Sequence, residues 1–143
     1  MRVAEVMTRE VEFIAPDVPV SAAAELMGEL DVGALPVGGP GDLRGIVTDR
    51  DLVYRVVARG LDAGRVRVAE VLSAPVVTCR EEDSLQAVLD LMAANHLRRL
   101  PVVDGGGRVT GWVTLGDLAR TMLHGNAALQ SALAELTGEP QAQ

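Results

Sequence analysis

Apolar and polar positions along this chain fall into short blocks, and the blocks occur twice. Val20, Ala23, Ala24, Met27 and Leu30 lie at i, i+3, i+4, i+7 and i+10, the stripe of a helix with one buried face. Leu85, Val88, Leu89 and Met92 repeat that spacing, with Asp83 or Ser84 placed to cap the helix. Each stripe is preceded by a short apolar run, Val11–Ile14 and Val76–Cys79. Turn residues bound these runs, Pro16-Asp17 after the first and Pro75 before the second, so both are expected to be strands. Each stripe is followed by a hairpin pattern. Ala34–Val37 and Leu43–Val47 flank Gly38-Gly39-Pro40-Gly41, and Leu100–Val103 and Val109–Val113 flank Asp104-Gly105-Gly106-Gly107. A second helix is expected to begin near Thr48 and again near Thr114. Each block therefore predicts the order β-α-β-β-α.

The blocks align residue by residue. A shift of 65 lays Val3-Ala4-Glu5-Val6 on Val68-Ala69-Glu70-Val71, Leu26-Met27 on Leu91-Met92, and Leu35-Pro36-Val37 on Leu100-Pro101-Val102. One extra residue then enters, and a shift of 66 lays Gly45-Ile46-Val47-Thr48 on Gly111-Trp112-Val113-Thr114 and Asp51-Leu52 on Asp117-Leu118. Repeat 1 is expected over 1–60, a linker over 61–65, repeat 2 over 66–125, and a helical tail with a frayed end over 126–143. The tail carries Leu129, Leu133 and Leu136 at helical spacing. Neither repeat can bury a sheet and its helices alone. The expected fold is α/β (α+β), two repeats packed around a pseudo-twofold axis.

Composition narrows the function. Hydrophobic residues make up 48% of the 143, but aromatic ones only 2%. The core must therefore be aliphatic, and no platform exists for stacking single-stranded nucleic acid. The formal net charge is −7, and every basic residue is arginine. An acidic chain is a poor match for nucleic acid or an anionic membrane surface, and no apolar run approaches the length of about 18 residues needed to span one. One cysteine, Cys79, allows neither an internal disulfide nor a thiolate metal cluster. It lies in an apolar run and reads as a core residue, not a nucleophile. The expected setting is cytoplasmic. No arrangement of nucleophile, base and oxyanion site is legible, so an enzyme is not expected, and neither a metal nor a covalent cofactor is.

Taken in order, Val3–Thr8, Ala34–Val37 and Gly45–Leu52, with Val68–Ser73, Arg98–Asp104 and Gly111–Leu118, resemble a tandem cystathionine-β-synthase-type (CBS) domain pair, also called a Bateman module. The resemblance covers all but the tail. It implies a regulatory module that binds an adenosine-containing ligand between the two repeats and relays its occupancy to a partner protein. AMP, ADP and ATP are the leading class, with S-adenosylmethionine or NAD-type molecules also possible ligands. It implies a homodimer as well. The competing reading is a ligand-free dimerisation or interaction module whose pockets are vestigial.

In that family the Gly-x-x-Thr-x-x-Asp segment contacts the ribose. Carried onto this chain, the ribose residues are Thr48 and Asp51 in one repeat and Thr114 and Asp117 in the other. The chemistry is reasonable: a carboxylate accepts both O–H donors of a cis-diol as charge-assisted bonds. A threonine at a strand-to-helix junction places a hydroxyl and backbone N–H groups at the positive end of the helix. The same Thr-x-x-Asp spacing is also that of a helix capping box, and both roles can coexist in one segment.

Arg98 and Arg99 precede a strand and suit phosphate capture through guanidinium geometry, or else shield a strand edge. The resemblance suggests that the segment before Leu-Pro-Val in one repeat faces the Thr/Asp segment of the other. Arg98, Arg99 and Thr78 are then expected at the Thr48/Asp51 site, with Gly33 and Ala34 at the Thr114/Asp117 site. On this expectation the first site binds charged nucleotide more tightly. Ile46, Trp112 and His96 complete the candidates; His96 equally suits a helix C-terminus, and Trp112 equally suits strand packing.

Overall fold

The helical stripe at Val20 forms α1, Val20–Leu30, and the one at Leu85 forms α3, Leu85–Asn95. The computed structural model describes residues 1–123, 131, 134–136 and 138. Ser84 is the α3 cap, its hydroxyl accepting from the Ala87 amide at 3.1 Å, while the Asp83 carboxylate accepts from the Arg80 amide at 2.9 Å. Both helices stop at a left-handed residue, Asp31 (φ 54°) and His96 (φ 55°). These are the same repeat position, and Asp and His are among the few non-glycine residues that enter this region readily.

Both hairpins form. β1 (Ala34–Gly39) pairs antiparallel with β2 (Asp42–Thr48), from Ala34 opposite Thr48 to Gly39 opposite Asp42, with a bulge at Val37/Gly38. Gly38 has φ 116°, and a Cβ there would lie 2.0 Å from the Asp42 carbonyl oxygen. β3 is the dipeptide Cys79–Arg80, and it runs parallel to β4 (Arg99–Val103), followed in the sheet by β5 (Val109–Thr114). The closing helices start where Thr48 and Thr114 placed them: α2 is Asp49–Leu52, continuing as a π turn over Val53–Val57, and α4 is Leu115–Met122.

The first apolar run departs from expectation. Val11–Ile14 is not a strand; only Ile14 pairs, through a parallel bridge to Val37 with its amide on the Pro36 carbonyl at 3.0 Å. Ile14 alone in the run is fully buried; Val11 and Phe13 are part-buried and Glu12 is exposed, so less apolar burial holds residues 11–13 in a ladder. The second run pairs only from Cys79 onward.

The tertiary units do not follow the repeats. One comprises Val11–Val77 with Asp104–Thr110; the other comprises Met1–Glu10, Thr78–Val103 and the chain from Gly111 onward. Each repeat thus lends its opening segment to the body of the other. In one unit Thr8 bridges Trp112, the Thr8 amide donating to the Trp112 carbonyl at 2.8 Å and the reverse bond measuring 2.9 Å. In the other, Ser73 bridges Ile46 with bonds of 2.8 and 3.0 Å. The motif glycines permit this approach. A Cβ on Gly45 would meet Leu72 Cδ1 at 2.7 Å and the Ser73 carbonyl oxygen at 2.8 Å, and one on Gly111 would meet Met7 Sδ at 2.8 Å and the Thr8 carbonyl oxygen at 2.9 Å.

Gly45→Ala should therefore force the Leu72-Ser73 segment off β2. The expected cost is about 1–3 kcal/mol of overpacking, read as a melting temperature lowered by roughly 3–10 °C, with faster amide exchange at Ile46 and Ser73. An unchanged melting temperature and unchanged exchange would show that the approach is not tight.

The core is aliphatic, as the composition required. In the first of these units Ile14, Val20, Ala23, Met27, Leu35, Val37, Val47, Val56, Val68 and Val71 form one buried cluster. In the other, Val3, Val88, Met92, Leu100, Val102, Val113 and Leu118 are all buried. No helix among the described residues is long and apolar enough to cross a membrane. Of the tail, Leu129 and Leu133 lie outside the described residues, and Leu136 is exposed.

Candidate functional site

Each Thr-x-x-Asp segment lies at a junction where a strand turns into a helix, and the two junctions are wired differently. In repeat 1, Thr48 ends β2 and caps α2. Its Oγ1 accepts from the Asp51 amide at 3.0 Å, and its own amide donates to Asp51 Oδ2 at 2.9 Å, so the capping box is closed. The Ser73 hydroxyl reaches Asp51 Oδ1 and Oδ2 at 3.2 and 3.4 Å. Arg55 Nε stands 3.8 Å from Oδ1 while its Nη1 donates to the Val71 and Leu72 carbonyls at 2.8 and 3.0 Å. Asp51 is 8% exposed, the one buried charged residue among those described. A buried carboxylate needs such partners, because burial without them is costly.

In repeat 2, Thr114 ends β5 and caps α4, its Oγ1 accepting from the Asp117 amide at 3.1 Å. The Asp117 carboxylate meets an arginine: Arg120 Nη2 donates to Oδ1 at 2.7 Å. The side chains of Asp117 and Arg120 are 28% and 39% exposed, so this carboxylate opens to solvent where Asp51 does not. The repeats differ at the residues around these carboxylates. Arg50 and Tyr54 in α2 and the π turn correspond to Gly116 and Arg120 in α4. The Arg50 guanidinium lies 5.1 Å from the Tyr54 ring centre, a cation–π contact. At Gly116 there is no side chain, and the Arg120 guanidinium folds back to within 3.4 Å of where a Cβ would stand.

The remaining candidates sort by unit. Gly33 and Ala34 belong with Thr48 and Asp51: the Asp49 amide donates to the Gly33 carbonyl at 2.9 Å, and Ala34 pairs with Thr48 across the hairpin. Ile46 lies on the same strand, bridged to Ser73. Arg98 and Arg99 belong with Thr114 and Asp117: the Leu115 amide donates to the Arg98 carbonyl at 2.7 Å. Thr78, His96 and Trp112 lie in that same unit. His96 is the exposed residue that ends α3, and Trp112 is part-buried in β5 against Thr8. Hairpin geometry sets the Arg98 backbone beside Leu115 of its own repeat, while the sequence expectation sets the Arg98 and Arg99 side chains at the Thr48/Asp51 site. An antiparallel hairpin must bring the residues before its first strand beside those after its second.

Three residues in direct contact with the two carboxylates were not among the sequence candidates. Arg55 and Arg120 stand four and three residues after their aspartates, spacings that place side chains on one helical face and were legible. Ser73 is 22 residues from Asp51 and was not. Cys79 is buried, and its thiol is pushed up to about 12, first by burial and then by the Asp83 carboxylate. It stays neutral at ordinary pH and lacks the thiolate a nucleophile needs. Among the described residues no group of three His, Cys, Asp or Glu side chains is placed to hold a metal ion.

Comparison with known proteins agrees with this doubled architecture. The chain matches the CBS domain family twice, over residues 3–58 and 68–124. It is 40% identical to the CBS domain-containing protein YhcV of Bacillus subtilis, over 94% of each chain. The CBS-domain containing protein ATU1752 from Agrobacterium tumefaciens superposes with a TM-score of 0.78 at 27% identity, covering 85% of this chain and 99% of that one. The CBS domain pair of protein MJ0100, solved with 5′-methylthioadenosine and S-adenosyl-L-methionine, superposes with a TM-score of 0.76 over 85% of this chain and 95% of that one. At 24% identity the latter is a likeness of fold alone. With two family matches that together span most of its length, the chain belongs to the CBS domain family and carries its domains as a tandem pair.

Proposed function

We propose that this CBS pair is a regulatory module that binds an adenosine-containing ligand of the AMP, ADP or ATP class, with its principal site at Thr114 and Asp117. The observation that supports it is the solvent-open Asp117 carboxylate at the head of α4, in the unit that also holds Arg98 and Arg99. Asp117 accepts the ribose hydroxyls, and the arginine segment, joined to α4 through the Leu115–Arg98 bond, takes the phosphate. Thr78, His96 and Trp112 line the same unit. Asp51 and Thr48, with Ile46, Gly33 and Ala34, form a second site in which the carboxylate is already held by Thr48 and Ser73. That site binds ligand more weakly. S-adenosylmethionine and NAD remain alternative ligands. No catalysis is assigned, and the module works in the cytoplasm, passing its occupancy to a regulated protein.

A second reading has its own observation. Val53, Tyr54, Val57 and Leu61 are 51%, 59%, 71% and 47% exposed on the turns that follow α2. Such a face suits a second copy of the chain, so the protein acts as a homodimer, with or without ligand.

Thermal unfolding of ligand-stripped protein with AMP, ADP, ATP, S-adenosylmethionine and NAD separates the readings, with the molecular mass measured alongside. A true ligand at 100 times its dissociation constant should stabilise by about 2.7 kcal/mol, or roughly 5–10 °C for a chain of this size. No shift with any of the five, in a protein of dimeric mass, would leave the interaction module as the function.

A further inference from the structure

We propose that Arg120 sets the charge of the ligand accepted at Asp117, favouring phosphorylated nucleosides over their uncharged parents. The inference rests on the ligand reading above and deepens it. Three observations carry it. Arg120 Nη2 lies 2.7 Å from Asp117 Oδ1, so in the structure the guanidinium occupies the carboxylate that the ribose would use. The same guanidinium is folded over Gly116, in the first turn of α4, with Nη1 3.4 Å and Thr114 Oγ1 3.8 Å from the space a Cβ there would fill. It therefore lies at the positive end of an eight-residue helix, beside the segment that begins at Arg98. Repeat 1 is built differently: Tyr54 stands at the position of Arg120, and Arg55, one residue on, keeps its Nε 3.8 Å from Asp51 Oδ1 while its Nη1 is tied to the Val71 and Leu72 carbonyls.

The consequence is a competition. An uncharged nucleoside offers its diol to Asp117 and must share or displace a charge-assisted bond, with nothing to give Arg120 in return. A 5′-phosphate supplies a replacement anion, two of whose oxygens can accept the parallel N–H groups of the guanidinium, so Arg120 exchanges one anion for another. Arg120 thereby links the sugar end of the ligand to its phosphate end. At 39% exposure the ion pair itself is screened, and its loss alone should alter stability little.

The test is titration calorimetry of the full chain, stripped of ligand, with AMP and with adenosine, for wild type, Arg120→Gln and Arg120→Lys. Wild type should prefer AMP. Arg120→Gln should weaken AMP about tenfold while leaving adenosine unchanged or tighter, so that the preference falls about tenfold. Arg120→Lys keeps the charge and should retain part of it. Raising the salt should lower the preference more steeply in wild type than in Arg120→Gln, which keeps only Arg98 and Arg99. Equal weakening of both ligands in Arg120→Gln would reduce Arg120 to a support for Asp117 and overturn the proposal. An unchanged preference would overturn it too. If wild type binds neither ligand, the ligand reading falls and this inference with it. If wild type binds both and only the preference fails to move, the ligand reading stands and Arg120 alone is excluded.

Discussion

Asp117→Ala should abolish the thermal shift produced by the nucleotide that stabilises wild type. The carboxylate supplies both acceptors for a ribose cis-diol, and hydrogen bonds to a charged group are worth about 1.5–3 kcal/mol each. Loss of about 3 kcal/mol corresponds to a dissociation constant weakened on the order of 100-fold. In the absence of ligand the variant should melt close to wild type, because Asp117 is part-exposed and its backbone amide still bonds to Thr114 Oγ1. Asp51→Ala should behave in the opposite way. It breaks the closed capping box and leaves the Thr48 amide and the Ser73 hydroxyl without their acceptor, a stability loss of about 1–2 kcal/mol. It should retain most of the nucleotide response. If instead Asp51→Ala loses the response and Asp117→Ala keeps it, the principal site belongs to repeat 1.

Leu100→Ala should be the most destabilising single truncation. Leu100 is 0% exposed in β4, the middle strand of the order β3-β4-β5, and nothing in a close-packed aliphatic core can expand to replace it. A loss of about 3–4 kcal/mol is expected, visible as a melting temperature lower by roughly 8–15 °C. Its counterpart Leu35, 2% exposed in β1, should cost about as much on truncation, whereas Leu30→Ala, at a position 40% exposed on α1, should cost a small fraction of it. A Leu100→Ala loss below about 1 kcal/mol in denaturant melts would mean that the site collapses around the deleted atoms. Because Arg98 precedes β4 and Arg99 opens it, this truncation should also blunt the nucleotide response.

The two repeats show why some of this was legible and some was not. Helices α1 and α3, both hairpins and the starts of α2 and α4 could be read from local spacing, since each is closed by contacts within a few residues. The Thr-x-x-Asp segments could be read for the same reason, with their capping bonds spanning three residues. The approach of Arg98 to Leu115 was also available, because an antiparallel hairpin brings its two ends together. The strand expected at Val11–Ile14 failed where only Ile14 is fully buried, with Val11 and Phe13 part-buried and Glu12 exposed.

By itself, then, the sequence determined a doubled helix-hairpin-helix chain with an aliphatic core and an aspartate at the head of each closing helix. Periodicity, turn residues and caps are local, and local energies repeat whenever the residues repeat. Only the tertiary structure decided that each repeat gives its first residues to the body of the other, bringing Ser73 onto Asp51 and Thr8 onto β5. It also decided that two matching aspartates are unequal, one buried and held, the other open and paired with arginine. Burial and long-range partners depend on which segments pack together, and that is settled by the summed packing of the chain, not by spacing within any one motif.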